Sequence, residues 1–367
     1  MSADAVGGVW TYALELAHAL GQTDIDVQLA ILGPRPSQAQ RREAEAIGRL
    51  SVVATDLPLD WTAKSEMDLV EANQELRALA RRAGAELAHL NAPAHAAGTR
   101  WPLPLVVAAH SCVATWWRAL KEEPLPNDLA WRAAATARGL RRADVVLVPS
   151  HAFARVLADT YGAGFPLRSV HNGTTPRRLP PAPTKDCILT AGRLWDPAKN
   201  LAVLDAAAAL SGEHIHAAGP IEGPHREQVD LANLKLLGSL TQVELAHWYA
   251  RAAIFVSVPK YEPFGLAVLE AAQAGAALVL ADIATLRELW DGAALFVAPE
   301  DSYALADAIA WLANAETARS RLAHKAQARA KAFTVDRMLA GTLSAYEHAL
   351  RQHAHTRSVE FMPAGWQ

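Results

Sequence analysis

In the stretch YEPFGLAVLE, residues 261–270, two carboxylates, Glu262 and Glu270, bracket a Pro-Phe-Gly turn and an apolar run. A helix built only for a core keeps its acids on the wet face, whereas these flank the segment that ought to be buried. Pro263 biases Glu262 away from helical geometry, so that acid belongs to the approach loop. Phe264, Gly265 and Leu266 then read as the first helical turn, with free N–H groups and a positive dipole end that suit an anion. Gly265 permits close backbone approach, and Glu270 stands more than one turn further along. Acids at both ends with amides between them suit a long ligand, hydroxylated at its ends and phosphorylated in its middle. A lone E-x7-E pair would more often be a capped core helix with two surface glutamates.

A second anion-friendly stretch is ILTAGRLWDPAKNLAVL, residues 188–204. An apolar strand runs into Gly192 and Arg193, Asp196 is placed to cap a helix with Pro197 at its first position, and Lys199 follows. Arg193 can grip two phosphate oxygens in a fixed fork while Lys199 supplies a point charge. An isolated Arg-x5-Lys reads as a solvated loop; two such strand ends in one half of the chain make an anion site the better reading. His110 ends the apolar run PLVVAAH, at the carboxyl edge where open α/β sheets bind ligands. Alone it is more often a structural histidine. Gly7 and Gly8 precede a clear helix, which suits either close ligand approach or a tight turn.

The elements that must position these residues alternate along the chain. Helical patterns cover 9–20, 66–84, 152–161, 201–210, 243–252 and 303–313, and apolar strand patterns cover 27–32, 103–109, 145–148, 188–191, 254–258, 277–280 and 294–297. Continuous apolar strands between helices predict parallel sheets covered on both faces. The proline-rich stretch PRRLPPAPTK, 176–185, reads as a linker. It gives two α/β domains, 1–178 and 179–334, facing a cleft, followed by a terminal helix and tail over 335–367. MSADAV offers barely half a strand before the first helix, so the first strand is expected to be very short or to begin upstream.

Composition narrows the class. A chain of 367 residues suits two domains, and 51% apolar with 20% charged residues is ordinary for a globular protein. A net charge of −3 gives no pull toward nucleic acid. Cys112 and Cys187 lie far apart without metal-type spacing, which fits a reducing compartment. The apolar run 265–284 is split by Gly275 into a helix and a strand, which argues against a membrane span. No signal-peptide pattern opens the chain, so a cytoplasmic location is expected. Arg132, Arg138, Arg141 and Arg142 gather near one helix; they read as a solvated face, with docking at the inner face of the membrane as the second reading. GAGFPL (162–167) lacks a dinucleotide fingerprint, Asp24 and Asp26 end a loop, His214 and His216 lack a third metal ligand, and His353 and His355 fall in a polar tail.

Taken together, GGVWTYALELAHAL, the strand ending in His110, VPSHAF, VHNG, AGRLWDPAKN, LLGSLTQVEL and YEPFGLAVLEAAQAG resemble the retaining glycosyltransferases of family 4 over nearly the whole chain. The last segment fits the family's E-P-F-G-x4-E signature in full. The resemblance implies the GT-B fold: two Rossmann-like α/β domains, with a final helix around 335–353 crossing back to the first. It implies that Arg193 and Lys199 bind the donor diphosphate, Glu262 lies by the transferred sugar and Glu270 takes the ribose hydroxyls. By the same resemblance the amides of Phe264, Gly265 and Leu266 contact sugar and phosphates, His110 reaches the donor sugar, and Gly8 approaches the phosphates. The loop 195–198 and the curtailed first strand depart from the family pattern.

The activity so implied is transfer of a sugar from a nucleotide sugar to a hydroxyl on a glycan, lipid or small molecule, with retention and without a metal or other cofactor. Two cations and a helix start can meet the charge that develops on the leaving diphosphate. A glycosidase would need its carboxylates roughly 5–9.5 Å apart, whereas eight helical residues rise about 12 Å. A sugar-nucleotide epimerase of the same fold and a non-catalytic sugar-nucleotide-binding protein stand as the alternatives.

Overall fold

The computed structural model describes residues 1–177, 184–223 and 229–360, with side chains through 355. The chain forms two compact units, one of residues 1–118, 122–173 and 335 onward, the other of residues 119–121 and 174–334. The proline-rich linker expected at 176–185 and its domain boundary at 178/179 fall largely on residues 178–183, outside the described residues, as does the tail beyond 360.

The first unit is built from parallel strands β1 (Ser2–Asp4), β2 (Val27–Leu32), β3 (Leu50–Ala54), β4 (Ala88–Leu90), β5 (Leu105–Ala108), β6 (Val145–Val148) and β7 (Leu167–Ser169). Between them run helices α1 (Gly8–Gly21), α2 (Gln38–Glu45), α3 (Glu66–Arg82), α4 (Val113–Leu120), α5 (Asn127–Arg142) and α6 (His151–Tyr161). The strands pair as β1-β2-β3 and β4-β5-β6-β7. MSADAV does yield a first strand, of three residues, in register with β2. Three residues are too few to ladder on both sides, and a side chain closes the seam: Asn91, just past β4, donates from its backbone N–H to Ser2 Oγ (3.0 Å) and from Nδ2 to Ser2 O (2.6 Å).

In the second unit the parallel sheet has the order β10-β9-β8-β11-β12-β13. Its strands are β8 (Cys187–Ala191), β9 (Ile215–Ala218), β10 (Lys235–Gly238), β11 (Ala252–Ser257), β12 (Ala277–Ala281) and β13 (Leu295–Val297). They alternate with α7 (Leu201–Ser211), α8 (Gln242–Arg251), α9 (Leu266–Gln273), α10 (Ala284–Trp290), α11 (Ser302–Asn314) and α12 (Glu316–Ala330). β12, ALVLA, is buried at every residue, as a central strand covered on both faces must be. Gly275, at φ 79°, turns the chain between α9 and β12, so the run 265–284 is helix then strand.

The last helix, α13 (Val335–Glu360), belongs to the first unit. Met338 is fully buried beside Tyr12, Leu16 and Leu20 of α1, and His89 Nδ1 lies 2.7 Å from Tyr346 Oη. It runs past the expected end at 353, so His353 and His355 lie on a helix rather than in a polar tail. No helix among the described residues is long and apolar enough to cross a membrane.

Candidate active site

The carboxyl edge of the second unit's sheet gathers the charged residues singled out above. β8 ends in Gly192 (φ 153°) and Arg193; a single 3-10 turn, Pro197–Lys199, then leads through Asn200 into α7. Asp196 caps that turn, its Oδ1 accepting from Ala198 N at 3.0 Å, while its Oδ2 pairs with Arg193 at 2.9 Å. The guanidinium also lies 5.6 Å from the Trp195 ring centroid. Asn200 is left-handed (φ 59°), and its Nδ2 donates to Val258 O (3.0 Å) and Pro299 O (2.7 Å), so the turn is tied to the ends of β11 and β13. Lys260 N donates to Ala198 O at 2.9 Å, which brings the β11–α9 loop against the same turn. Glu262 thereby meets Lys199, Nζ to Oε2 2.6 Å.

Helix α9 starts two residues later than its sequence suggests. Gly265 adopts φ 91° as the residue before the helix, and Phe264 lies outside it. The phenyl ring is buried in the core, edge-on to Phe333 at 5.7 Å, and burying it outweighs extending the helix. Phe264 N lies 3.5 Å from Glu262 Oε1, so this amide faces the acid. The first helical turn is therefore opened by Leu266, with Gly265 O accepting from Val268 and Leu269 N at 3.1 Å.

Glu270 sits on α9, its side chain 10% exposed, and Arg177 holds it: Nη2 to Oε1, 2.7 Å. Burial, and secondly the Glu270 charge, raise the Tyr249 hydroxyl well above its ordinary range. Arg177 escapes sequence reasoning because it lies in a proline-rich stretch without periodicity. The ion-pair role of Asp196 is hidden behind its capping role, and the anchoring role of Asn200 has no local signal beyond its residue type. Gly219 is similarly silent: at φ 141°, a Cβ there would lie 1.7 Å from Gly192 O.

Gly8 and His110 belong to the first unit. Gly8 is the exposed first residue of α1, after Gly7. His110 lies just past β5, its Nε2 2.9 Å from Asn91 Oδ1 and its ring edge-on to Tyr12 at 4.5 Å. Because Asn91 spends its Nδ2 on Ser2 O, the oxygen must face the histidine, and Nε2 carries the proton. Nδ1 then keeps its lone pair. Although part of His110 is open, loss of hydration lowers its pKa to about 4, so the ring is neutral at pH 7. Of the four arginines near α5, Arg132 donates to Ala63 O, Arg138 pairs with Glu66 and Arg142 donates to Ala97 O (2.6 Å), so three are engaged within this unit.

Two family models match the chain: "Glycosyltransferase Family 4" over residues 6–178 and "Glycosyl transferases group 1" over residues 185–315. Over 112 residues the chain is 44% identical to a D-inositol 3-phosphate glycosyltransferase of Frankia alni. That match covers 30% of this chain and spans only 27% of the relative's length. Among solved structures, sucrose-phosphate synthase from Thermosynechococcus elongatus superposes with a TM-score of 0.79 at 18% identity, over 96% of this chain and 99% of the other. Anabaena HepE in complex with UDP-glucose gives 0.67 at 18% identity, over 98% and 99%. With its paired parallel-sheet units and both family segments in sequence order, the chain belongs to the family 4, group 1 glycosyltransferases and has the GT-B fold.

Proposed function

We propose that the protein transfers a glycosyl group from a nucleoside-diphosphate sugar to a hydroxyl acceptor, with retention of configuration and without requiring a metal. One observation carries this reading: Arg193, Lys199, Glu262, Glu270 and the start of α9 converge on one sheet edge. The solved complex of HepE with UDP-glucose supports a nucleotide-sugar donor.

In the reaction the bond between the anomeric carbon and the β-phosphate oxygen breaks, and its electron pair leaves with the diphosphate. Arg193, Lys199 and the amides opening α9 stabilise that charge, which is present in full only as the bond breaks. An ammonium has three donors, so Lys199 can keep Glu262 while reaching a phosphate oxygen. Glu262 accepts from hydroxyls of the sugar and Glu270 from those of the ribose; in the first unit, neutral His110 has its Nδ1 lone pair to offer a hydroxyl. Gly8 leaves room for phosphate at the start of α1. The acceptor oxygen attacks from the face the diphosphate leaves, and its proton passes to that diphosphate.

The test is a panel of nucleotide sugars scored by thermal stabilisation, because a ligand selective for the folded state raises the midpoint. A stabilising donor is expected, followed by transfer to a polyol or glycoside that survives EDTA, with the anomeric configuration read by NMR. Absence of stabilisation by any nucleotide sugar or nucleoside diphosphate would reject the reading. Isomerisation of a donor incubated alone would replace it with epimerisation. Arg193→Ala should lower turnover and weaken nucleoside-diphosphate binding about ten-fold; unchanged calorimetric affinity would remove Arg193 from the site.

A further inference from the structure

Glu270 is a carboxylate in tight surroundings whose nearest charged partner is 93 residues away in sequence. Arg177 Nη2 donates to Oε1 at 2.7 Å, and the two side chains are 25% and 10% exposed. A carboxylate so enclosed needs a cation to offset the hydration it has given up, and Arg177 supplies it. The pair also leaves work undone: Arg177 engages Oε1, and Oε2 is not used in this contact. Tyr249 lies on the other side of the account. It is 1% exposed, and its hydroxyl feels both the charge of the Glu270 carboxylate and a hydrogen-bonding contact with it.

We infer that Arg177 is a positioning residue of the donor site: its fork holds Oε1 and turns the Glu270 carboxylate so that Oε2 is presented to a vicinal diol, the 2′- and 3′-hydroxyls of the nucleoside. This rests on the donor reading given above. Arg177 itself touches no substrate in this scheme. Its fork and fixed charge act only through Glu270. The chemistry it serves is recognition of the ribose diol, not of the diphosphate, so its loss must be felt by ligands that carry that diol and not by those that lack it.

The experiment is calorimetry on the full chain with UDP, GDP and ADP, and with the 2′,3′-dideoxy analogue of whichever binds tightest. Wild type should prefer the ribonucleotide about ten-fold or more, the share of one or two hydrogen bonds to a charged group. Arg177→Gln should lower affinity for the ribonucleotide about ten-fold, leave the dideoxy analogue within two-fold, and so abolish the preference. Arg177→Lys, which keeps the charge but not the fork, should recover part of it. In a Glu270→Gln background Arg177→Gln should have no further effect, an outcome that a merely structural role would not give. Equal discrimination in wild type and Arg177→Gln, with both folded by circular dichroism, overturns the inference and leaves the donor reading standing. Binding of none of the three diphosphates by wild type overturns both. If Arg177→Gln does not fold, full discrimination by Arg177→Lys together with additivity of Arg177→Lys and Glu270→Gln overturns it.

Discussion

The amide of Asn91 can face only one way, and that fixes the chemistry of His110. Its Nδ2 donates to a backbone carbonyl, which cannot donate in return, so Oδ1 accepts from His110 Nε2–H. At pH 7 the ring is then neutral with Nδ1 as acceptor, which leaves His110 able to receive a hydroxyl and unsuited to act as an acid. Asn91→Asp sets a carboxylate in the same place and favours the imidazolium, so the His110 pKa should rise from about 4 toward its ordinary value or above. Ring nitrogen chemical shifts followed between pH 4 and 8 check this. A His110 that stays neutral throughout that range in Asn91→Asp would show that burial alone sets its state.

At the scale of elements, the cations are held by short connections rather than by long helices. The turns after β8, β9 and β10 are laced edge to edge, Gly192 N to Ala218 O at 3.0 Å and Gly219 N to Gly238 O at 2.8 Å. Gly219→Ala would drive a methyl group into Gly192 O at a φ that side chains avoid, and the nearer atom is backbone that cannot swing aside. The displaced atom belongs to the residue before Arg193, so nucleoside-diphosphate affinity should fall together with the unfolding midpoint; an unaltered affinity would mean that the β8 turn does not set the position of the arginine. Asn200 is the matching strut. Asn200→Ala leaves Val258 O and Pro299 O without their donor and loses a residue tolerant of φ 59°, at a cost of about 2–3 kcal/mol in urea unfolding. Asn200→Asp should be nearly as damaging, since it places oxygens against carbonyls.

For the whole molecule, pH dependence follows from histidines buried as neutral rings in the first unit. His89 is 2% exposed, and burial lowers its pKa to about 3, against roughly 6.5 when unfolded. Between those values the unfolded chain takes up a proton that the folded chain refuses, so stability is full above about pH 6.5 and drains as pH falls toward 3. Each such histidine removes about 1.4 kcal/mol per pH unit within that window. Urea unfolding at pH 7, 6 and 5 should show this slope. His89→Gln should flatten it even if it lowers the stability at pH 7; identical slopes would assign the acid sensitivity elsewhere. His89 also lies beside Tyr346, so the same variant is expected to loosen α13 from β4.

Local sequence determined which stretches are strands and helices. Apolar runs such as VQLAIL and VVLV suit a covered parallel strand, and β2 and β6 carry the bounds read from pattern alone. Residue types also announced the chemistry, because fork, point charge and carboxylate are properties of single side chains. Pairing was decided by the tertiary structure. Lys199 meets Glu262 across 63 residues because the crossovers set β8 beside β11 and aim their following loops at one edge, and Arg177, ahead of β8, meets Glu270 of α9 across 93. Phe264 shows the same division: its local pattern opens a helix, yet its ring packs edge-on against Phe333 in the core and α9 opens only at Leu266. A contact between distant residues has no signature in either neighbourhood; it exists only once strand order has brought the two ends of chain together.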